Sequence, residues 1–456
     1  MVEKLPLAVS FTAVIHAVLL CAGFGSADFG ERGIPAIAHH FNTKSRYEEA
    51  HPLLLRDPLA LDADAVKPPA SQCSALHLTA IIRHGTRFPT AGNIRKINEL
   101  QKFVKSQARG ELNILPALRA WKMWYREDMD GRLVDKGRED HRNLAQRLAK
   151  TFPTLLTKNN LLEKKVSFST SSKHRCVNST LAFQQGLKKH FSIEEDDLQD
   201  NYTVKDELMR FFDTCRRLLE TVEKNKKAVE EVTNFNEGPE MKRVQEKLAD
   251  RLQVPYANIT ADSVEAAFYL CSYEFTILGL NSPWCRLFDE KDAEVVEYSG
   301  DLKQYWKKGF GHDINSKSSC ILFHDLFNRL ETAANKHKSG VSVSEVVAVQ
   351  VGHAETLLPL LTLLGLFKDN ASLTSTNFDE HLNRAFRCSR NMPYAANLLV
   401  ALWDCSDGLR LQFRVNEKPV TLPGLDNSSP LYQEVREQYK QLLQGCNQET
   451  VCQMNS

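Results

Sequence analysis

The stretch that most constrains this chain is Val346-Val347-Ala348-Val349-Gln350-Val351, an almost unbroken β-branched and apolar run. A run of that length and composition fits a strand covered on both faces, as in a parallel sheet flanked by helices. It passes into Gly352-His353-Ala354-Glu355 and then into an apolar segment, Thr356 to Phe367, read as a helix. At about 12 residues that helix is too short to cross a bilayer and belongs in a core. Leu76 to Ile82 makes a similar short strand. It is followed by Ile94, Ile97, Leu100, Phe103 and Val104 at helical spacing. A second helix is expected over Arg138 to Phe152, and Val166 to Thr170 alternates as a strand. Strands alternating with helices predict an α/β fold, a largely parallel sheet flanked by helices.

The rest of the chain is organised around that core. Residues 190–335 are richer in charge and helical periodicity, for example Lys205 to Val232 and Met241 to Leu252, and read as a mostly helical insertion. The expected division is a signal peptide over 1–27, a lead-in segment over 28–72, the α/β core over 73–189 and 336–456, and the insertion between its two parts. The leader rests on Lys4, an apolar run from Leu5 to Gly25 and the small residues Gly25-Ser26-Ala27. An uncleaved membrane anchor is the alternative, since the run reaches about 20 residues.

Charge and cysteine content narrow the class further. Across 456 residues, 58 Lys+Arg stand against 57 Asp+Glu, which argues against a general nucleic-acid binder. The 11 cysteines become ten if Cys21 leaves with the leader, an even number suited to an oxidising compartment. They show no zinc spacing, so structural disulfides are expected, with a few buried thiols as the alternative. Asn201, Asn258, Asn370 and Asn427 head glycosylation sequons. Asn178 heads a fifth, but its place beside Arg175 argues against a glycan there. The chain ends Gln453-Met454-Asn455-Ser456, which is not an ER-retention tetrapeptide. The expected location is the secretory pathway, either secreted or in the ER lumen.

Chemistry gathers at the carboxyl ends of the strand candidates, where open α/β sheets place their ligands. Arg83-His84-Gly85-Thr86-Arg87-Phe88-Pro89-Thr90 sets a histidine between two arginines, with Gly85 allowing close backbone approach. Arginine forks grip phosphate oxygens bidentately. Arg175 follows the next strand, within Ser171-Ser172-Lys173-His174-Arg175-Cys176. His353 and Glu355 stand at the start of the apolar helix, whose positive end attracts anions. No metalloprotease, nucleophile-elbow, P-loop or dinucleotide motif is present, so neither metal nor cofactor is expected.

Together these motifs resemble the histidine acid phosphatases, and within them the branch acting on multiple inositol polyphosphates. Further marks of that branch are Leu208 to Asp213, Ser282-Pro283-Trp284-Cys285 and Asp301-Leu302-Lys303-Gln304-Tyr305-Trp306. The resemblance implies a histidine phosphatase-like fold and a two-step phosphomonoester hydrolysis. In it His84 is the nucleophile, Arg83, Arg87, Arg175 and His353 bind phosphate, and Glu355 is the proton donor. It further implies small-molecule polyphosphate substrates, inositol hexakisphosphate among them, and the 3-phosphate of 2,3-bisphosphoglycerate, with no obligatory protein partner. Arg95, Lys96, Lys136, Arg138, Lys173 and His174 are candidates for a cationic rim, with a solvated-surface role as the alternative for each. Competing functional readings are a general secreted acid phosphatase and a polyphosphate-binding protein without turnover. His-Ala-Glu in place of His-Asp speaks against the former, and the presence of His84 and Glu355 against the latter.

Overall fold

The computed structural model describes residues 36–454 apart from 64–65 and 195–198. The leader, with Cys21, therefore lies outside the described residues. Sheet and helices follow the apolar pattern. The strands are β1 (Ser74–Arg83), β2 (Val166–Thr170), β3 (Thr203–Val204), β4 (Val347–Gly352), β5 (Asn397–Cys405), β6 (Gly408–Val415) and β7 (Lys418–Val420). They lie in the order β3-β2-β4-β1-β5-β6-β7. The first four are mutually parallel, whereas β5, β6 and β7 add on antiparallel. The parallel core agrees with the pattern of the sequence; the antiparallel extension is additional.

Long helices are α1 (Ala91–Gln107), α2 (Asp135–Thr151), α3 (His174–Phe191), α4 (Pro239–Leu252), α5 (Ala261–Leu278), α6 (Glu290–Lys308), α7 (Cys320–Lys338) and α8 (Ala354–Leu363). Leu144 and Leu148 of α2 and Phe183 and Leu187 of α3 bury against Leu78, Ala80, Ile82, Val349 and Val351 of the sheet. α7 and α8 pack on β1, and Gln350 of β4 donates to Asp325 of α7 at 2.7 Å. With both faces covered, β1 and β4 have no solvent face to make polar, which explains their continuous apolar sequence.

α5 packs against α1, α4 and α6. Thr260 and Asp289 start α5 and α6 with reciprocal capping boxes. The helical periodicity over Lys205–Val232 does not yield one helix. It breaks into short turns around Cys215, which is disulfide-bonded to Cys452. Residues 36–55 form short 3-10 turns that bury Phe41 against Phe268 and Phe275 of α5. Further disulfides join Cys73–Cys405, Cys271–Cys285 and Cys320–Cys446, while Cys176 and Cys388 are buried thiols. No described helix is long and apolar enough to cross a membrane.

Candidate active site

Strand register brings the three motifs together. Arg83 pairs with Gly352 across β1 and β4, and Thr170 with Val351 across β2 and β4. The segments that follow, beginning at His84, Ser171 and His353, thus leave the sheet side by side. The loop after β1 is tied at both ends. The His84 N–H donates to the Gly352 carbonyl at 3.0 Å, and the Ala395 N–H donates to the His84 carbonyl at 3.2 Å. Gly85 packs backbone to backbone on Gly137 of α2, where a Cβ would lie 2.2 Å from the Gly137 carbonyl oxygen. Thr86 donates to Asp140 of α2 at 2.8 Å. That contact fixes the turn between His84 and Arg87.

The buried ring of His84 is set in one tautomer. Its Nδ1 lies 2.9 Å from the Gly85 carbonyl, which can only accept, so Nδ1 carries the proton and Nε2 keeps its lone pair. Burial, then Arg175, Arg83, Arg87 and His353, hold its pKa well below the usual imidazole value. His84 is therefore neutral and nucleophilic on Nε2.

Arginines enclose it. Among the described residues, the Nε atoms of Arg83, Arg87 and Arg175 are buried without a hydrogen-bond acceptor. Three unanswered guanidinium donors in one place fit an anion with several oxygens. Arg175 Nη2 donates to His353 Nδ1 at 3.1 Å. The opposite ring nitrogen of His353, Nε2, then donates to Ser171 Oγ at 2.9 Å. The His353 and His84 rings lie 5.7 Å apart, edge to face. Burial and then Arg175 keep His353 unprotonated. A hydroxyl both donates and accepts, so Ser171 supports either tautomer of His353.

Glu355 sits in the first turn of α8. Burial works to raise its pKa, but Lys308, then His353 and more weakly Arg83 outweigh it and hold the carboxyl at about 2. Lys308 also pairs with Glu223 and lies 5.7 Å from the ring centre of Phe212, which packs edge-on against His353.

The structure places the rim candidates apart from this cluster in different degrees. Arg95, Lys173 and His174 are exposed, and His174 contacts Asn178. Arg138 pairs with Asp135 at 3.0 Å. Lys136 bonds Asp140 and Glu48, bracing the Thr86 turn rather than reaching outward. Lys96 pairs with Asp262 and Glu265 and lines a cleft of about 180 Å³ with Lys44, Lys303 and Lys307. The reading of the sequence quoted Ser171 only within a motif, and missed Lys44, Lys308 and Tyr394, whose ring centre lies 6.1 Å from that of His84. Lys303 stood inside a quoted motif, and Lys308 lies two residues beyond it, so that motif was the available signal. No group of three or more described His, Cys, Asp or Glu side chains is placed to hold a metal ion.

A neutral histidine at the carboxyl edge of a parallel sheet, ringed by arginines, fits a phosphate-handling enzyme. The chain belongs to the histidine phosphatase superfamily, branch 2, whose profile matches residues 76–416. It is 45% identical over 422 residues to multiple inositol polyphosphate phosphatase 1 of Gallus gallus, covering 91% of this chain and 92% of the relative. It is 41% identical to the Homo sapiens protein of the same name, covering 92% and 90%. Among solved structures, the phytase from D. castellii superposes with a TM-score of 0.73 at 16% identity, covering 92% of this chain and 88% of that one. The Bifidobacterium longum multiple inositol polyphosphate phosphatase in complex with inositol hexasulfate does so at 0.67 and 13%, covering 87% and 97%.

Proposed function

We propose that this phosphatase removes phosphates from inositol polyphosphates, inositol hexakisphosphate included, through a phosphohistidine on His84. The observation that carries the reading is a neutral His84 with Nε2 free, among three arginines whose buried Nε donors lack protein acceptors. Nε2 attacks phosphorus in line as the ester oxygen leaves. Arg83, Arg87, Arg175 and His353 hold the equatorial oxygens and stabilise their charge in the transition state. Glu355 gives its proton to the leaving alkoxide, a role worth roughly 10²–10⁴-fold. Its carboxylate then takes a proton from the water that cleaves the phosphohistidine. The balance closes on free phosphate, the alcohol and the starting enzyme. The relatives named for inositol polyphosphates support a substrate with more than one phosphate.

The same clamp suits the 3-phosphate of 2,3-bisphosphoglycerate, a smaller ester with a second anionic group for the rim. Four disulfides and the exposed Asn201, Asn258, Asn370 and Asn427 support passage through the secretory pathway and glycosylation there. Phosphate release from inositol hexakisphosphate, with products separated and His84→Ala alongside, tests the main reading. Wild type is expected to release phosphate and the variant none. Equal release by both removes His84 from the mechanism.

A further inference from the structure

Two main-chain carbonyls from distant segments hold the guanidinium of Arg83. Its Nη1 donates to Thr43 O at 2.8 Å and to Met392 O at 2.6 Å, with the Tyr394 ring centre 4.6 Å from its Cζ. Neither carbonyl belongs to the sheet. Thr43 follows Asn42, a non-glycine residue at φ +52°, and Met392 follows the short turn Cys388–Asn391.

One carboxylate ties both turns down. Asp301, on α6 and fully buried, accepts at Oδ1 from Asn42 Nδ2 at 2.7 Å and from the Cys388 backbone N–H at 3.0 Å. Its Oδ2 accepts from Arg384 Nε at 2.7 Å and Nη2 at 2.5 Å. Gly300 allows the approach, because a Cβ there would lie 2.9 Å from Asn42 Nδ2. One turn earlier on α6, Glu297 gathers His40, Arg387 and Ser389, which flank the same two turns.

We propose that Asp301 is a positioning residue for Arg83, acting from α6 through Asn42 to the Thr43 carbonyl and through Cys388 to the Met392 carbonyl. The inference rests on the phosphate-binding role given to Arg83 above. Asp301 forms no contact with the other phosphate-clamp residues, so its effect on turnover must pass through the two turns. A guanidinium held by carbonyls that are themselves held keeps its remaining donors aimed at one point.

The test is Asp301→Asn, which preserves shape. Whichever way the amide turns, its NH₂ faces donors: turned to Asn42 and Cys388 it breaks both arms, and turned to Arg384 it removes the pairing that holds the side chain in place for them. With p-nitrophenyl phosphate, kcat/KM is expected to fall by about 10- to 100-fold, the scale of an ångström-size misplacement. Inhibition by inorganic phosphate should weaken with it, and Arg83→Ala/Asp301→Asn should be no slower than Arg83→Ala. Unchanged phosphate inhibition, or losses that multiply in the double variant, overturns the proposal in favour of a purely structural role. If Asp301→Asn does not fold, Asn42→Gly serves, since glycine accepts the positive φ and only one arm is removed. A several-fold loss that vanishes in the Arg83→Ala background is expected, and full activity overturns the proposal. The aryl phosphate keeps the two readings separate. Hydrolysis of it without hydrolysis of inositol hexakisphosphate defeats the proposed substrate and leaves this test intact.

Discussion

Replacing Lys308 by methionine should move the basic limb of the kcat–pH profile upward. In the proposed mechanism Glu355 carries a proton when the alkoxide leaves, yet its carboxyl is held at about 2, with Lys308 the strongest charge acting against burial. Reaching a working value near 5 takes about 3 pKa units, or roughly 4 kcal/mol. A bound phosphate dianion can supply that. At an effective dielectric of about 20, each of its charges is worth about 3–4 kcal/mol at hydrogen-bonding separations. Removing the single charge of Lys308, which Glu223 partly neutralises, should add about one to two units. The profile should be measured as kcat, which reports the complex, with an alkyl phosphate whose leaving group needs protonation. Lys308→Met is then expected to retain activity into more alkaline solution, by that one to two units. Glu355→Gln should lose roughly 10²–10⁴-fold on the alkyl phosphate and far less on p-nitrophenyl phosphate, whose leaving group needs little help. If the basic limb of Lys308→Met stays where wild type has it, the Lys308 charge does not govern the acid. If Glu355→Gln turns over the alkyl phosphate at the wild-type rate, Glu355 is not the donor.

Other consequences are equally open to measurement. Gly85→Ala would drive a Cβ to 2.2 Å from the Gly137 carbonyl oxygen. It should abolish turnover and lower stability by about 1–3 kcal/mol or more; a melting temperature and kcat equal to wild type would falsify the close-approach argument. His141 is fully buried, donates from Nε2 to the Arg83 carbonyl at 3.1 Å, and is pushed by burial down to about 4. The unfolded chain binds its proton between about pH 6.5 and 4 while the folded one does not. This contribution to stability is therefore flat above that window and falls as pH drops through it, by up to roughly 3 kcal/mol. Urea unfolding at pH 7 and 4.5 should show a steeper acid loss for wild type than for His141→Gln, and parallel losses would rule His141 out as a cause. Breaking Cys271–Cys285, which closes a loop with a sequence separation of 14, should cost about 3 kcal/mol in denaturant melts. No change in midpoint would show that the loop is already ordered in the unfolded chain.

What the sequence made legible depended on how far each feature is a local one. β1, β2 and β4 are covered by helices, so they appear as short apolar runs, and the chemistry follows at their ends. β6 is different. Arg410, Gln412 and Arg414 alternate with apolar residues along it, the pattern of a strand with one wet face, yet Arg414 is buried with its guanidinium over the Phe152 ring. Arg414 donates locally, to Gln412, but the ring it packs on is far away in sequence, and no periodicity reports that. The broken stretch after Lys205 is similar, since its course is set by a disulfide to Cys452. Lys136 was read toward the rim, although Asp140 stands one helical turn away and the i,i+4 pairing was visible. Residues 36–55, read as a lead-in without sustained periodicity, deliver the Thr43 carbonyl to Arg83. A main-chain acceptor has no residue signature, so composition could not announce it.

The same positive charge sets nucleophile and acid in opposite conditions, and that opposition gives the site its order of events. Arg83, Arg87 and Arg175 keep His84 unprotonated, ready to attack. Lys308 and, more weakly, Arg83 keep Glu355 ionised, unable to give a proton. Without phosphate the enzyme holds a competent nucleophile and a spent acid. An arriving dianion cancels the field that both groups feel, and the two respond differently. The His84 Nδ1 proton is fixed on the Gly85 carbonyl, and Nε2 lies against the phosphorus itself, so nucleophilicity is retained. Glu355 has one main-chain hydrogen bond to its carboxylate but is held ionised mainly by charge, so it takes up a proton once that charge is cancelled. When the alcohol departs, the phosphoryl charge is shared with the arginines and the carboxylate is restored just when water needs a base. Substrate charge thus arms the acid, and an ester bound without a dianionic phosphate should be held but cleaved slowly. A phosphodiester analogue tests this: binding within about tenfold of the monoester with kcat lower by at least about 10² is expected, whereas equal turnover would mean Glu355 is protonated without help from the substrate.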